Sequence, residues 1–296
     1  MKRLIIRPGG VGDCILALPA MESLRAGTTE VWAASANLPL IRFADSVRSI
    51  ASTGLDLLGI PDRDAPPGVL DALARFDSIV SWYGTRRPEF RASVASLPFR
   101  FLDALPDRPG VQAADFYLRQ VSEDSGPAIP RIACPHVERA AFVAIHPFSG
   151  SAKKNWPLER FRELARRLDV PVRWCAGPQE PLEDAERFDS LYDLACWLRS
   201  ARLYIGNDSG ITHLAAAVGT PVVALFGPTD PAIWAPRGQH VSVVATARPG
   251  DAIECIGVAD VVADPGLARI SPHLRNSCLS HTGAVSNTPR DSRYPR

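Results

Sequence analysis

"YIGNDSGITHLAAAVGTPVVALFGPTDPAIWAPRG" runs from Tyr204 to Gly238. An apolar run breaks at Asn207-Asp208-Ser209-Gly210, restarts with helical spacing over 211–218, and ends in a second apolar run at 222–226. Strand, polar turn, helix and strand in that order are the unit from which parallel sheets are built. The glycine of the turn lets the chain reverse sharply. A helix starting near Ser209 and Gly210 presents unpaired backbone N–H groups and the positive end of its dipole, which suits a phosphate or diphosphate. Asp208 or Ser209 serves equally well as an ordinary N-cap. His213, one turn into the helix, either reaches the same anion or is a packed residue.

Working outward, short apolar runs alternate with helix-like stretches along most of the chain. The first series is 4–6, 14–25, 31–33, 38–43 and 78–82. The second is strand 142–146, helix 158–168, strand 172–176, helix 191–199 and strand 203–205, leading into the opening unit. Between them, "SGPAIPRIACPHVERA" (125–140) carries three prolines and a polar bias and reads as a linker. Two α/β domains of similar construction follow: residues 1–135, and residues 136–264. Residues 265–296, rich in Ser, Pro, Arg and Asn without an apolar period, are expected to be a disordered tail. No short internal repeat is present, which excludes solenoids.

Three more loops follow strands. "RPGGVGDCILALP" places Gly9, Gly10 and Gly12 in a tight strand-to-helix turn with Asp13 at the helix mouth, either as a cap or as a general base facing a cleft. "IHPFSGSAKKNWPLERF" offers Ser149, Gly150, Ser151, Lys153 and Lys154 before Pro157, a residue suited to the first turn of a helix. Hydroxyls, small residues and lysines at a strand's C-terminal end suit phosphate oxygens; a solvated basic loop is the plainer alternative. "CAGPQEPLEDAERF" places Glu180 where it could accept from a sugar hydroxyl or simply complement a helix dipole. Neither G-x-G-x-x-G nor G-x-x-x-x-G-K-[ST] occurs, so dinucleotide and ATPase readings fail at the motif level.

Composition narrows the classes further. The 296 residues are 46% hydrophobic and 22% charged with a formal charge of +1, which fits a globular protein and gives no basic stripe for nucleic acid. Six cysteines without a C-x-x-C pair suggest neither a zinc ribbon nor a dithiol site, and fit a reducing compartment. No apolar run approaches the roughly 18 residues of a membrane span, and the N-terminus lacks a secretory core. A cytoplasmic protein is expected, with peripheral contact at the inner face of the cytoplasmic membrane left open.

Taken together, "RPGGVGDCILALP", "HPFSGSAKKNWPLERFRELA" and "GNDSGITHLAAAVGTPVVALFGPTDPAIWAP" closely resemble glycosyltransferase family 9, the ADP-heptose:lipopolysaccharide heptosyltransferases. The resemblance implies a GT-B architecture: two Rossmann-like domains with parallel sheets facing a central cleft, acceptor on the first and nucleotide sugar on the second. It implies transfer with inversion and without a metal or other cofactor, from a nucleotide diphosphate donor, ADP-heptose by family, to a glycan or lipopolysaccharide-core acceptor. By position, Asp13 matches the family's catalytic base and Gly9, Gly10 and Gly12 its acceptor-side loop. Lys154 matches the lysine that meets the donor's phosphates, Ser149 and Gly150 the residues against the diphosphate, and Glu180 the ribose contact. Asp208, Ser209, Gly210 and His213 match the donor-binding turn and helix. The N-terminal half is short for the family, so trimmed acceptor elements are expected. The alternative is a nucleotide-sugar-binding protein of the same fold without transfer activity.

Overall fold

The computed structural model describes residues 1–60, 65–106, 110–123 and 126–268. Among these described residues, ten strands form two five-stranded sheets, every pairing parallel. The first sheet comprises β1 (Lys2–Arg7), β2 (Thr28–Ala33), β3 (Ser46–Ser49), β4 (Ser78–Ser81) and β5 (Phe99–Phe101) in the order β3-β2-β1-β4-β5. The second comprises β6 (Val143–His146), β7 (Val172–Trp174), β8 (Leu203–Asn207), β9 (Val222–Phe226) and β10 (Val241–Ala245) in the order β10-β9-β8-β6-β7. Each order reverses beside its first strand. Open parallel sheets bind ligands at such points, in the crevice beyond the carboxyl ends of the strands.

The helices are α1 (Val11–Ser23), α2 (Val69–Leu73), α3 (Pro88–Ser93), α4 (Ala113–Arg119), α5 (Leu158–Arg166), α6 (Leu191–Ser200), α7 (Gly210–Ala217), α8 (Pro231–Trp234), α9 (Val258–Val262) and α10 (Pro265–Ala268). Period-two alternation explains why both sheet faces are covered. On β1, Leu4 and Ile6 pack toward α2 and α3, while Ile5 faces α1 and α4. On β6, Val143 and Ile145 pack toward α5 and α9, and Ala144 points the other way, toward α6 and α7. The inner helices of both units share one apolar core.

That core merges where α1 and α7 meet end to end. A Cβ on Gly210 would lie 2.7 Å from Val11 Cβ and 2.9 Å from the Gly12 nitrogen, so two small residues set the approach of the units. Gln112 Nε2 donates to Ala235 O at 3.0 Å, and Arg237 pairs with Asp115, tying α4 to the chain after α8.

Several elements depart from the sequence reading. The stretch 38–43 contributes to a 3-10 turn, Ser35–Leu40, rather than to an α-helix. The strands β3, β5 and β10 and the helix α4 carried no legible signal. Residues 126–142 form no regular element and are held to the second unit by bonds such as Ile132 N to Ala217 O (3.0 Å) and Ala140 N to Ser200 O (2.7 Å). Ser125, at the head of the expected linker, lies outside the described residues. So does 269–296, most of the expected tail; 265–268 form α10, with Leu267 fully buried against α9. Among the described residues no helix is long and apolar enough to cross a membrane.

Candidate active site

The strand-end loops converge on a cleft of about 580 Å³ between the two units. On its first-domain wall, Gly10 caps α1 and Asp13 occupies the third helical position, not the cap. Asp13 Oδ2 accepts from the Gly10 amide at 3.0 Å. Gly9 adopts φ +118°, a conformation that disfavours a side chain, and a Cβ there would come within 2.9 Å of the Asp13 carboxylate. It shapes the loop from behind, whereas Gly10, Gly12 and Asp13 line the cleft.

Arg7 and Asn37 hold this loop. Arg7 is buried at the end of β1, its guanidinium 4.7 Å from the Tyr117 ring centre. It donates to Pro8 O (2.9 Å) and Asp13 O (3.2 Å) and sits 3.6 Å from Asp13 Oδ1. Asn37 Nδ2 donates to Gly9 O at 3.1 Å. Asp13 thus has one oxygen held by an amide and the other beside a fixed cation. Burial pushes the neighbouring Cys14 thiol up to about 12, which removes it as a competing nucleophile.

The opposite wall is organised by Asn207, which spans the switch point of the second sheet. Its Oδ1 accepts from Trp156 N (3.0 Å) and its Nδ2 donates to Pro147 O (2.8 Å), fixing the β6 loop to β8. Ser209 caps α7 by accepting from Thr212 N, and Thr212 Oγ1 closes back on Asn207 O. The first amides of α7, at Gly210 and Ile211, have no intrahelical partner and open on the cleft.

Lys154 reaches across so that Nζ donates to Asp208 Oδ2 at 2.6 Å, an oxygen that also accepts from Thr229 Oγ1 at 2.6 Å. One of three ammonium protons is committed there, leaving others for a ligand. Ser149 Oγ lies 2.8 Å from Ser151 O and from Asn155 Oδ1, so its hydroxyl also shapes its own loop. Gly150 has open space where a Cβ would stand. His213 is buried against Gly12. Burial drives its pKa down to about 4 against the opposing pull of Asp208 and Asp13, so the ring is neutral at pH 7.

Glu180 closes the far end. Burial raises its pKa, but the hydrogen bond and charge of His146, the Gly177 amide and Arg187 outweigh that and hold it below the usual carboxylate range. A second, more apolar cavity of about 330 Å³ opens behind it, sharing His146, Glu180 and Ile211 with the first and walled by Pro39, Phe188 and Leu191. Ser149, Gly150, Lys154, Glu180, Asp208, Ser209, Gly210 and His213 therefore share one cleft with Asp13. Sequence reasoning missed Arg7, Asn37 and His146 as site residues. It also missed Trp234, an aromatic wall whose signal lay in "PAIWAP". Among the described residues no group of three or more His, Cys, Asp or Glu is arranged to hold a metal ion.

Residues 112–254 match the family model described as Glycosyltransferase family 9 (heptosyltransferase). Among curated relatives, lipopolysaccharide heptosyltransferase 1 of Salmonella typhimurium is 32% identical over 102 residues, 29% of this chain and 32% of that one. Lipopolysaccharide heptosyltransferase 3 of Escherichia coli K12 is 45% identical over 122 residues, 34% and 35% of the two chains. The chain thus spans about a third of the length of the curated relatives it matches. Solved structures agree over far more of the fold. Escherichia coli heptosyltransferase WaaC with ADP superposes with a TM-score of 0.67 at 18% identity, covering 88% of this chain and 98% of that one. Escherichia coli ADP-heptose lps heptosyltransferase II gives 0.68 at 17%, covering 94% and 99%. The architecture is GT-B, and residues 112–254 are similar to glycosyltransferase family 9.

Proposed function

We propose that the protein is an inverting, metal-independent glycosyltransferase that moves heptose from ADP-heptose to a lipopolysaccharide-core acceptor. The observation that carries the reading is the convergence of Asp13 with Lys154, Glu180 and the α7 N-terminus in one cleft. The α7 amides and Lys154 take the diphosphate, Glu180 takes ribose hydroxyls, and the apolar cavity behind Glu180 takes the base. Asp13 accepts the proton of the acceptor hydroxyl as that oxygen attacks the anomeric carbon. The C–O bond to the diphosphate breaks with its electron pair leaving on ADP, and opposite-face attack inverts the centre. The developing negative charge falls on donors already oriented before reaction, which is where such stabilisation is largest. With neutral His213 beside it, Lys154 is the cation that offsets this charge. The first domain serves the acceptor, and a lipid-linked acceptor would bring the protein to the inner face of the cytoplasmic membrane.

Titration with ADP, UDP and GDP in EDTA tests the donor half of this reading. Selective ADP binding that survives Asp13→Ala but is weakened by Lys154→Ala supports it. Equal or absent binding of the three nucleotides refutes it.

A further inference from the structure

Glu180 carries an asymmetry that its proximity to the cleft does not require. Its Oε2 is occupied twice, by His146 Nε2 at 2.8 Å and by the Gly177 amide at 2.5 Å. Its Oε1 has no hydrogen-bond partner among the described residues. Gly177 permits the approach, because a Cβ there would lie 3.3 Å from both Glu180 Cδ and Oε2. Arg187 fixes the same turn from outside, donating to Glu180 O and Leu182 O at 3.0 Å each.

His146 itself is 5% exposed, at the C-terminal end of the central strand β6, with its ring edge-on to Phe148. Among the described residues its Nδ1 is buried without a partner, so the ring makes one polar contact there, the one to Glu180. An acceptor-only carboxylate requires the imidazole to donate from Nε2, which fixes where the proton sits. A dry imidazole with one partner is costly unless that partner is worth holding.

Resting on the reading of Glu180 as the ribose contact, we propose that His146 is its positioning residue. By saturating Oε2 together with the Gly177 amide, it leaves Oε1 free to accept from the vicinal hydroxyls of the donor's ribose. Without it the carboxylate turns about its last torsion and both oxygens relax onto water and the Gly177 amide. His146 thereby enforces ribose over deoxyribose through the Glu180 carboxylate.

The test is calorimetric titration of ADP and of 2′,3′-dideoxy-ADP into the parent, His146→Phe and His146→Gln. The parent is expected to favour ADP about tenfold, the scale of a charge-assisted hydrogen bond. His146→Phe should lose that preference by weakening ADP alone, with dideoxy-ADP within about twofold of the parent, while His146→Gln, whose amide donates from a similar position, restores most of it. Equal loss for both nucleotides, or unchanged ADP affinity in His146→Phe, overturns the proposal. A parent without preference for ADP over the dideoxy compound instead refutes the ribose role of Glu180, and the two failures are distinct. Should the phenylalanine variant not fold, ¹⁵N resonances of His146 in the parent decide: a protonated Nε2 is required, and a bare Nε2 overturns the proposal.

Discussion

Replacing Lys154 with alanine is expected to weaken ADP binding about thirtyfold. The lysine side chain is 30% exposed and points at a carboxylate that is 7% exposed. At an effective dielectric near 20, an ammonium about 4 Å from a phosphate charge is worth about 4 kcal/mol, and salt and partial exposure reduce that to about 2 kcal/mol. That converts to roughly thirtyfold in Kd. The deletion also leaves Asp208 with only the Thr229 hydroxyl among its side-chain donors, so an unpaired carboxylate faces the incoming diphosphate. The double variant Lys154→Ala/Asp208→Asn should therefore bind ADP better than Lys154→Ala alone. Titration at two salt concentrations reads both effects, and the parent should show the steeper salt dependence. ADP affinity within twofold of the parent in Lys154→Ala would refute the reasoning, as would an Asp208→Asn variant weakened as much as Lys154→Ala.

Asp13→Asn is expected to lower sugar transfer about a hundredfold or more while leaving the Kd for ADP unchanged, as measured by turnover and titration side by side. Arg7→Lys, which cannot bond Pro8 and Asp13 together as the planar fork does, should reduce turnover about tenfold at unchanged ADP affinity. Gly210→Ala drives a methyl against Val11 and should cost about 1–3 kcal/mol in thermal unfolding, with loss of transfer as α1 and α7 separate. His213 has a folded pKa below its unfolded value. Its contribution is therefore complete above about pH 6.5 and is lost as pH falls toward 4, on the order of 3 kcal/mol. His213→Gln should flatten that acid loss in denaturant titrations from pH 7 to pH 4.

The parallel α/β plan was legible because β1, β6, β8 and β9 are buried on both faces, which forces near-continuous apolar runs. The edge strand β3, Ser46-Val47-Arg48-Ser49, is largely exposed and so leaves no hydrophobic signature. The candidate site was legible where strand ends and helix mouths favour special residues: Gly9-Gly10, Asp13 and Ser209-Gly210 stand out in sequence for that reason, and Lys154 as a cation in the loop after β6. Their partners were not. Arg7 and His146 read as the ends of apolar strands, and Asn207 as part of a turn. What each does depends on which strands become neighbours: Asn207 reaches Pro147 and Trp156 only because β8 pairs with β6 across the reversal in strand order. That adjacency, and the meeting of α1 with α7, is set by tertiary packing and has no local pattern to read.

The central claim is most directly tested by following ADP-heptose of known anomeric configuration by proton NMR, in EDTA, with the protein and a heptose-deficient lipopolysaccharide core. The account predicts transfer to the core with the opposite configuration at the anomeric carbon. Retained configuration, or an intact donor after many equivalents of the protein have been supplied, would contradict it.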